Sequence, residues 1–218
     1  MAKLHLIIAN KNYSSWSLRP WMAMTMAGLP FDESMILLDT PTMKKQIAKH
    51  SGAGRLPVLH HGKITVWETL AILEYLAETF PEKNLWPKSK AARAAARAIS
   101  NEMHAGFTSL RNACPMNLRR PPSPVAMSEA VIADVARIEA IWRECRKTYG
   151  KGAKFLFGKF CNADAMFAPV VTRFETFAIP VAKDTRAYMD AVTATKAFQL
   201  WKAAALKETW IVPHDEVD

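Results

Sequence analysis

The sequence has little cysteine and no long apolar run, and both features narrow the range of protein classes. Its three cysteines, Cys114, Cys145 and Cys161, are widely spaced and outside any C-x-x-C or metal-ligand pattern. We therefore expect buried, reduced side chains and no metal site. The longest apolar runs, LHLIIA and FAPVV, are far shorter than the roughly 20 residues that span a bilayer, and the N-terminus lacks an export signal. These absences predict a cytoplasmic protein without a membrane partner.

The charge balance is strongly positive, with 29 Lys and Arg against 20 Asp and Glu and a formal net charge of +9. A basic surface is typical of proteins that bind nucleic acid. Here the basic residues are spread along the chain, and the densest runs, TMKKQIAK, PKSKAARAAARA and NLRRPPSP, carry no stacking aromatics and no helix-turn-helix or zinc signature. Nucleic acid is therefore not the predicted partner, and an anionic small molecule accounts for the charge equally well.

The first 80 residues alternate strand and helix patterns. LHLIIAN at 4–10 and FDESMILL at 31–38 predict strands, and RLPVLHHGKITVW predicts a hairpin about His61-Gly62. Helices are predicted from Ser15 to Gly28, over TPTMKKQIAKHS, and over ETLAILEYLAETFPE. The resulting βαβαββα order predicts an α/β domain with a small mixed sheet.

After NLWPKSK the strand patterns stop. AARAAARAISNEMHAGFTSLRNAC predicts one long helix before a Pro-rich break at 119–124, and MSEAVIADVARIEAIWRECRKTYG predicts a second. NADAMFAPVVTRFETFA and TRAYMDAVTATKAFQLWKAAALKE predict further helices. We therefore expect an α/β domain at 1–82, a linker at 83–90 and an all-helical domain at 91–218.

The stretch NYSSWSLRPW at 12–21 places hydroxyls directly after the first strand. Ligands of such sheets lie at the carboxyl ends of strands, where the next helix exposes free N–H groups. Ser14 and Ser17 have the spacing of a C-x-x-C redox motif, but serine cannot perform dithiol chemistry, which disfavours a thiol–disulfide oxidoreductase. A serine here could donate a hydrogen bond to the thiolate of a ligand. The alternative is that Ser14 or Ser15 only caps the helix.

Two later pairs favour a ligand site over a plain cap. Leu56-Pro57 opens a strand, where proline cannot donate to the ladder and a cis bond in a tight turn would explain its presence. Glu68-Thr69 begins the next helix, where a hydroxyl and a backbone N–H suit a carboxylate and the adjacent acid suits an ammonium group.

These motifs resemble the glutathione transferase superfamily, and in particular its bacterial zeta-like members related to maleylacetoacetate isomerases. The resemblance rests on NYSSWSLRPW, RLPVL and WETLAILEYL, and on FLFGKFCNADAMFAPVV in the second half. It implies a thioredoxin-like N-terminal domain that binds glutathione as co-substrate and an all-helical C-terminal domain that covers the second-substrate site. It further implies a homodimer and a small apolar electrophile as the other partner.

The resemblance also implies a role for each residue of the first two motifs. Ser14, with Ser15 as its nearest competitor, would hydrogen-bond the glutathione sulfur. Leu56, before the cis-Pro57, would pair its backbone with the cysteinyl part of the peptide, and Arg55 could neutralise or flank it.

At the third motif, Glu68 and Thr69 would hold the charged γ-glutamyl end, although the family usually has serine in place of Thr69. A second departure is Cys161, which stands where the family has a Ser or Thr N-cap paired with Asp164. Because sulfur is a weak acceptor, we expect a less well capped helix there, with Asn162 as a substitute cap.

The electrophile would lie against the long helix after the linker. The candidate pocket residues are Trp16, Met103, His104, Phe107 and Arg111. Met103 and Phe107 belong to an apolar stripe of that helix, and His104 and Arg111 belong to a polar stripe beside it. For all four, an ordinary contact between the domains is the alternative.

The predicted mechanism is stabilisation of the glutathione thiolate by a serine hydroxyl and a helix N-terminus. A free thiol with a pKa of about 8.5 is only a few per cent ionised at neutral pH. One hydrogen bond to the anion, about 1.5–3 kcal/mol, and the helix N-terminus, about 0.3–1 kcal/mol, suffice to lower that pKa by about two units. Conjugation, isomerisation and peroxide reduction all stay open. The alternative function is a non-enzymatic glutathione-binding or protein-interaction module of the same fold.

Overall fold

Within residues 2–217, which this computed structural model describes, four short strands form one mixed sheet. They are β1 (Leu4–Ala9), β2 (Phe31–Ile36), β3 (Val58–His61) and β4 (Ile64–Trp67). In the order β2-β1-β3-β4, β1 pairs parallel with β2 and antiparallel with β3, and β3 pairs antiparallel with β4. The predicted small mixed sheet is confirmed.

Three helices of the N-terminal half pack on the two faces of the sheet. They are α1 (Ser15–Met26), α2 (Met43–Ala48) and α3 (Thr69–Thr79). Because side chains alternate along a strand, Leu6 of β1 packs in the main core with α1 and α3, whereas Ile7 packs with Ile47 of α2 in a separate small cluster. The βαβαββα order follows the prediction.

The second half of the described chain contains six further α-helices. They are α4 (Lys90–Ala105), α5 (Thr108–Ala113), α6 (Glu129–Cys145), α7 (Asn162–Thr176), α8 (Lys183–Thr193) and α9 (Lys196–Ala205). Their apolar faces extend the main core, in which Trp142, Phe167 and Tyr188 are fully buried. The thioredoxin-like domain followed by an all-helical domain is therefore confirmed as the fold class.

The prediction of one long helix at 91–114 is wrong in one respect: the structure has two helices there, α4 and α5, with a break at Gly106. Gly106 is extended, with φ −106° and ψ −165°, and Phe107 is left-handed, with φ 56°. A Cβ on Gly106 would lie 2.8 Å from the carbonyl oxygen of Glu102, so a larger residue would not fit this backbone. The new N-terminus of α5 is held by Asp134 of α6, whose carboxylate accepts from the N–H of Leu110 at 3.0 Å.

The two halves of the chain are joined by buried polar contacts. Arg19 of α1, only 1% exposed, donates from Nε to the carbonyl oxygen of Met166 in α7 at 2.9 Å. Asn162, at the start of α7, donates from Nδ2 to the carbonyl oxygen of Leu73 in α3 at 3.1 Å. Because unpaired carbonyls and amides are costly inside a core, these contacts fix how α7 lies on the N-terminal half.

The three cysteines are free and buried, as the sequence predicts. Burial raises the pKa of Cys145 to about 11 and that of Cys161 above its ordinary range. All three thiols are therefore protonated and unreactive at neutral pH.

The N-terminus of α7 is capped better than the sequence suggests. Cys161 and Asp164 form a reciprocal capping box, in which the Asp164 carboxylate accepts from the Cys161 N–H at 2.9 Å. The same carboxylate accepts from the N–H of Leu156 and from the hydroxyl of Tyr188, each at 3.1 Å. Asn162 is not a substitute cap, because its amide is bonded to α3. Burial raises the pKa of Asp164 to about 6, although these donors oppose the shift.

Replacing Asp164 by Asn should change the pH dependence of folding. A pKa of about 6 in the folded protein, against 3.8 for the free group, means that the folded state binds the proton more tightly. The contribution of Asp164 to the free energy of unfolding is therefore complete below about pH 4 and falls as pH rises through 6. In urea titrations, the stability of the wild type relative to Asp164→Asn should decrease from pH 4 to pH 7. A difference that stays constant over this range would contradict the shift.

Candidate active site

The turn between β1 and α1 is held by two serine hydroxyls. Ser14 is the N-cap of α1, and its Oγ accepts from the N–H of Ser17 at 3.3 Å. The two hydroxyl oxygens lie 2.8 Å apart, and Ser17 Oγ also accepts from the N–H of Ala9, the last residue of β1, at 3.0 Å. Ser14 therefore caps the helix, as the plainer interpretation of the sequence had it, and it also lines a cavity.

Ser15 lines the same cavity but is bonded differently. It is the first residue of α1 and is 8% exposed. Within the described chain, its hydroxyl makes no hydrogen bond, so both its proton and its lone pairs are available. The N-terminus of α1 therefore places two hydroxyls at this cavity: that of Ser14, which is hydrogen-bonded to Ser17, and that of Ser15, which is free.

The backbone that faces these serines comes from the turn before β3. The Leu56-Pro57 peptide bond is cis, as predicted, and Pro57 is buried. Leu56 lines the cavity, and among the described residues its N–H and C=O have no hydrogen-bond partner. Both groups can therefore pair with an extended peptide, in the manner of a strand edge.

A second cavity of about 280 Å³ adjoins the first at the start of α3. Glu68, with φ 69°, precedes α3, and its carboxylate lies 3.7 Å from Arg55 Nη1 and 3.9 Å from His104 Nε2. Thr69 is 1% exposed, and its hydroxyl donates to the carbonyl oxygen of Trp16 at 3.0 Å. The carboxylate of Glu68 and the free N–H groups of the first turn of α3 therefore meet in this cavity.

The two cavities form one continuous groove. The larger one has a volume of about 390 Å³, and both are lined by Trp16, Arg55, Leu56 and Arg111. The groove runs from Glu68 past the free backbone of Leu56 to the N-terminus of α1. Its end beside Glu68, His104 and Arg111 is polar.

Three arginines approach this groove from the protein interior. Arg19 of α1 and Arg111 of α5 contact the indole of Trp16, with their Cζ atoms 4.2 Å and 4.9 Å from the ring centroid. Arg173 of α7 lines the larger cavity and is 6% exposed, and its Nη1 is buried without a hydrogen-bond partner in the described chain. The wall of the groove that faces the helical half is therefore strongly cationic.

The charges of these arginines are poorly compensated. Burial and the neighbouring guanidinium of Arg111 lower the pKa of Arg173 to about 10, and Asp215 opposes that shift. Burial, Arg173 and Arg111 also lower the pKa of Arg19 well below its ordinary value. Asp215 is itself partly buried in the cavity wall, and its burial raises its own pKa. A buried cation with unused donors is a binding site for an anion.

The structure places the predicted pocket residues in two different environments. Trp16 and Arg111 line both cavities, and His104 lies beside Glu68 in the smaller one, where burial lowers its pKa. Met103 and Phe107 are 0% and 7% exposed, belong to the main core and line neither cavity. A contact between these two residues and an electrophile stays a prediction.

Sequence reasoning missed several residues of the larger cavity. They are Tyr13, Met116, Arg173, His214 and Asp215. Among these residues, only Arg173 could have been found from the sequence, because it is the lone charged residue in the mainly apolar run FAPVVTRF. His214 and Asp215 come from the segment after α9, which has no periodic pattern to predict where it lies.

Comparison with known proteins finds one matching family model and several relatives. A family model for the glutathione S-transferase N-terminal domain matches residues 13–79. Maleylacetoacetate isomerase of Rattus norvegicus is 31% identical over 149 residues, 67% of this chain and 67% of the rat protein. Glutathione S-transferase 1 of Dianthus caryophyllus is 29% identical over 116 residues, 53% of this chain and 52% of that one. A probable maleylacetoacetate isomerase of Caenorhabditis elegans is 32% identical over 99 residues, 45% of this chain and 46% of that one. The chain therefore spans about half the length of the last two relatives.

Solved structures show the same fold. A glutathione transferase homologue from Burkholderia, with bound glutathione, has a TM-score of 0.72 at 21% identity and covers 93% of this chain and 98% of its own. The tau-class enzyme of mango, Mangifera indica, has a TM-score of 0.72 at 16% identity, over 94% of this chain and 96% of its own. Fold and motif order together define the glutathione transferase class.

The chain belongs to the glutathione transferase superfamily. Its relationship within that superfamily is zeta-like, toward the maleylacetoacetate isomerases. Among residues 2–217, no helix is both long and apolar enough to cross a membrane. The same residues contain no group of three or more His, Cys, Asp or Glu arranged to hold a metal ion.

The two serines should differ in their contribution to stability. Ser14→Ala removes the N-cap of α1 and should lower the free energy of unfolding by about 0.5–2 kcal/mol. Ser15→Ala removes a hydroxyl without a protein partner and should change it by less than about 0.5 kcal/mol. Urea denaturation followed by circular dichroism measures both values. Equal losses in the two variants would show that Ser14 is not the cap.

Proposed function

We propose that the protein is a glutathione-dependent transferase or isomerase that binds glutathione along the groove and ionises its thiol at the N-terminus of α1. The observation that carries the proposal is the order of polar groups: the Glu68 carboxylate, the unpaired Leu56 backbone and the serine hydroxyls lie along one groove. The γ-glutamyl ammonium would pair with Glu68, and its carboxylate would accept from the N–H of Thr69. The cysteinyl backbone would pair with Leu56, which directs the sulfur to the serines.

Ser14 is the proposed donor to the sulfur, with Ser15 as its competitor. In the structure Ser14 Oγ donates to Ser17 Oγ, which also accepts from the N–H of Ala9. On binding, the Ser14 proton would turn from Ser17 to the sulfur, while Ser14 Oγ keeps its bond from the N–H of Ser17. The free hydroxyl of Ser15 supports the competing assignment. Neither serine acts as a base, because a hydrogen bond to developing negative charge is sufficient.

The electrophile is proposed to have an apolar body and an anionic group. Met43, Pro115 and Met116 supply an apolar part of the larger cavity, while Arg111 and Arg173 supply cationic donors. Two relatives are named maleylacetoacetate isomerases, which supports a cis–trans isomerisation. In that reaction the thiolate adds to a conjugated double bond, the resulting single bond rotates, and the thiolate leaves again, so that atoms and electrons balance.

The homodimer implied by the resemblance and the cytoplasmic location predicted from the composition are part of this proposal. A non-enzymatic glutathione-binding module of the same fold is the alternative, and it would bind glutathione without lowering the pKa of its thiol. Conjugation and peroxide reduction would use the same thiolate with a different electrophile. Turnover assays with a chloronitroaromatic, a hydroperoxide and maleylacetone distinguish these activities.

The pKa of bound glutathione tests the thiolate mechanism. In the wild type, ultraviolet absorbance of the thiolate should titrate about one to two pH units below the value of about 8.5 for a free thiol. Ser14→Ala should remove most of this shift, because it removes the donor that favours the anion. Ser15→Ala is the matched control and should titrate like the wild type. If Ser15→Ala alone loses the shift, Ser15 is the donor, and a normal thiol pKa in the wild type would overturn the proposal.

Arg173→Met tests the anionic electrophile. The variant keeps an unbranched apolar stem in the buried position but removes the guanidinium charge, and it should lower kcat/KM for maleylacetone at least about tenfold. The rate with an uncharged chloronitroaromatic should fall much less. Arg143→Met, which removes an exposed arginine paired with Asp184 on α6 and α8, is the control for net charge. An equal loss of kcat/KM for both substrates would show that Arg173 does not bind the anionic group of the electrophile.

A further inference from the structure

Three histidines gather at one end of the face of the sheet that α2 covers. In β1, His5 and Ile7 point to this face, and in β3, Val58 and His60 do so. His5 and His60 are direct cross-strand neighbours, and their ring centroids are 6.4 Å apart. His50 follows α2 and reaches the same place. All three side chains are partly exposed, so solvent can reach them.

The ring nitrogens of two of these histidines lie close together. His50 Nδ1 is 3.4 Å from His60 Nε2. Two nitrogens bound to one tetrahedral zinc ion, each at about 2.0–2.1 Å, are separated by about 3.3–3.4 Å. In the structure the two nitrogens share one hydrogen bond, and their separation is also that of two ligands of one ion, which would replace the proton between them.

The other nitrogen of His60 has the partner that a metal ligand requires. His60 Nδ1 lies 3.1 Å from Oγ1 of Thr65, its cross-strand neighbour in β4. If Nδ1 carries the proton and donates to that hydroxyl, Nε2 keeps a free lone pair, which is how outer hydrogen bonds fix the tautomer of a metal-binding histidine.

We propose that His50 and His60 form a binding site for a divalent transition-metal ion such as Zn²⁺, with water completing the coordination. Imidazole suits zinc, copper and nickel better than magnesium or calcium. His5 is turned to Ser34, with Nε2 2.8 Å from its hydroxyl, and is a neighbour of the site rather than a ligand. No group of three or more ligands exists in the described chain, so two protein ligands make this a weaker site than a structural zinc.

Such an ion would join two separate parts of the N-terminal half. His60 belongs to β3, whereas His50 lies in the segment between α2 and β3, six residues before Leu56. The ion would hold the start of that segment against the sheet. This inference does not depend on glutathione binding, and its test uses no activity measurement.

The test is calorimetric titration of the untagged protein with zinc chloride at pH 7.5 in a buffer that does not chelate metals. The wild type should bind one ion, and His50→Gln and His60→Gln should each weaken binding at least about tenfold, as loss of one of only two protein ligands requires. His61→Gln is the matched control, because His61 is the next residue of β3 and points to the opposite face, with Nδ1 2.7 Å from the Tyr75 hydroxyl. This variant should bind zinc like the wild type. Protonation of both rings should abolish binding at pH 5.

A second measurement uses the wild type alone and does not depend on how the variants fold. Zinc should shift the ring NMR signals of His50 and His60 and leave those of His61 unchanged. Failure of the wild type to bind zinc would overturn the proposal. Wild-type affinity for zinc in both ligand variants, or shifts confined to other histidines, would also overturn it.

Discussion

The hydroxyl of Ser17 is the contact on which the geometry of the groove depends. It joins the last residue of β1 to the cap of α1, so strand and helix meet at a fixed angle. Ser14 is the cap at this junction, and Ser15 and Trp16 begin α1 directly after it, so the junction positions all three. A buried hydroxyl that serves both as acceptor for a backbone N–H and as partner of a second hydroxyl leaves neither polar group unsatisfied. The same turn therefore stabilises the fold and presents the groups that face the groove.

A second constraint is the placement of positive charge next to that turn. Arg19 is buried against the indole of Trp16 and bonded to the Met166 carbonyl, which ties α1 to α7. Its charge cannot be moved to solvent without separating these helices. Arg111 and Arg173 add to the same potential, and Asp215 is the acid that opposes it. An anion in the cavity would gain hydrogen bonds that no described protein group makes.

Most of the fold could be predicted from the sequence because local patterns determine it. Alternation of apolar residues predicts the strands, and helical periodicity predicts the helices. The turns beside the groove are indicated by the pairs Leu56-Pro57 and Glu68-Thr69. The break at Gly106 could not be predicted, since a glycine inside a helical pattern costs only about 1 kcal/mol and is commonly tolerated. The position of Arg173 depends on packing between distant helices. The contact between His50 and His60 likewise depends on where α2 ends relative to the sheet. No local sequence pattern predicts that position.

The break between α4 and α5 links helix continuity to the composition of the groove. In an unbroken helix, His104 and Arg111 would be seven residues apart and about 10 Å apart along the axis. With the turn at Gly106, the His104 ring lies 5.1 Å from the Trp16 ring, centre to centre, while the Arg111 guanidinium lies 4.9 Å from the same ring. His104 of α4 and Arg111 of α5 therefore both contact the indole of Trp16. Gly106 lines neither cavity, yet its carbonyl oxygen accepts from Arg111 Nη1 at 3.3 Å, so the backbone of this turn itself holds the cation beside the aromatic ring.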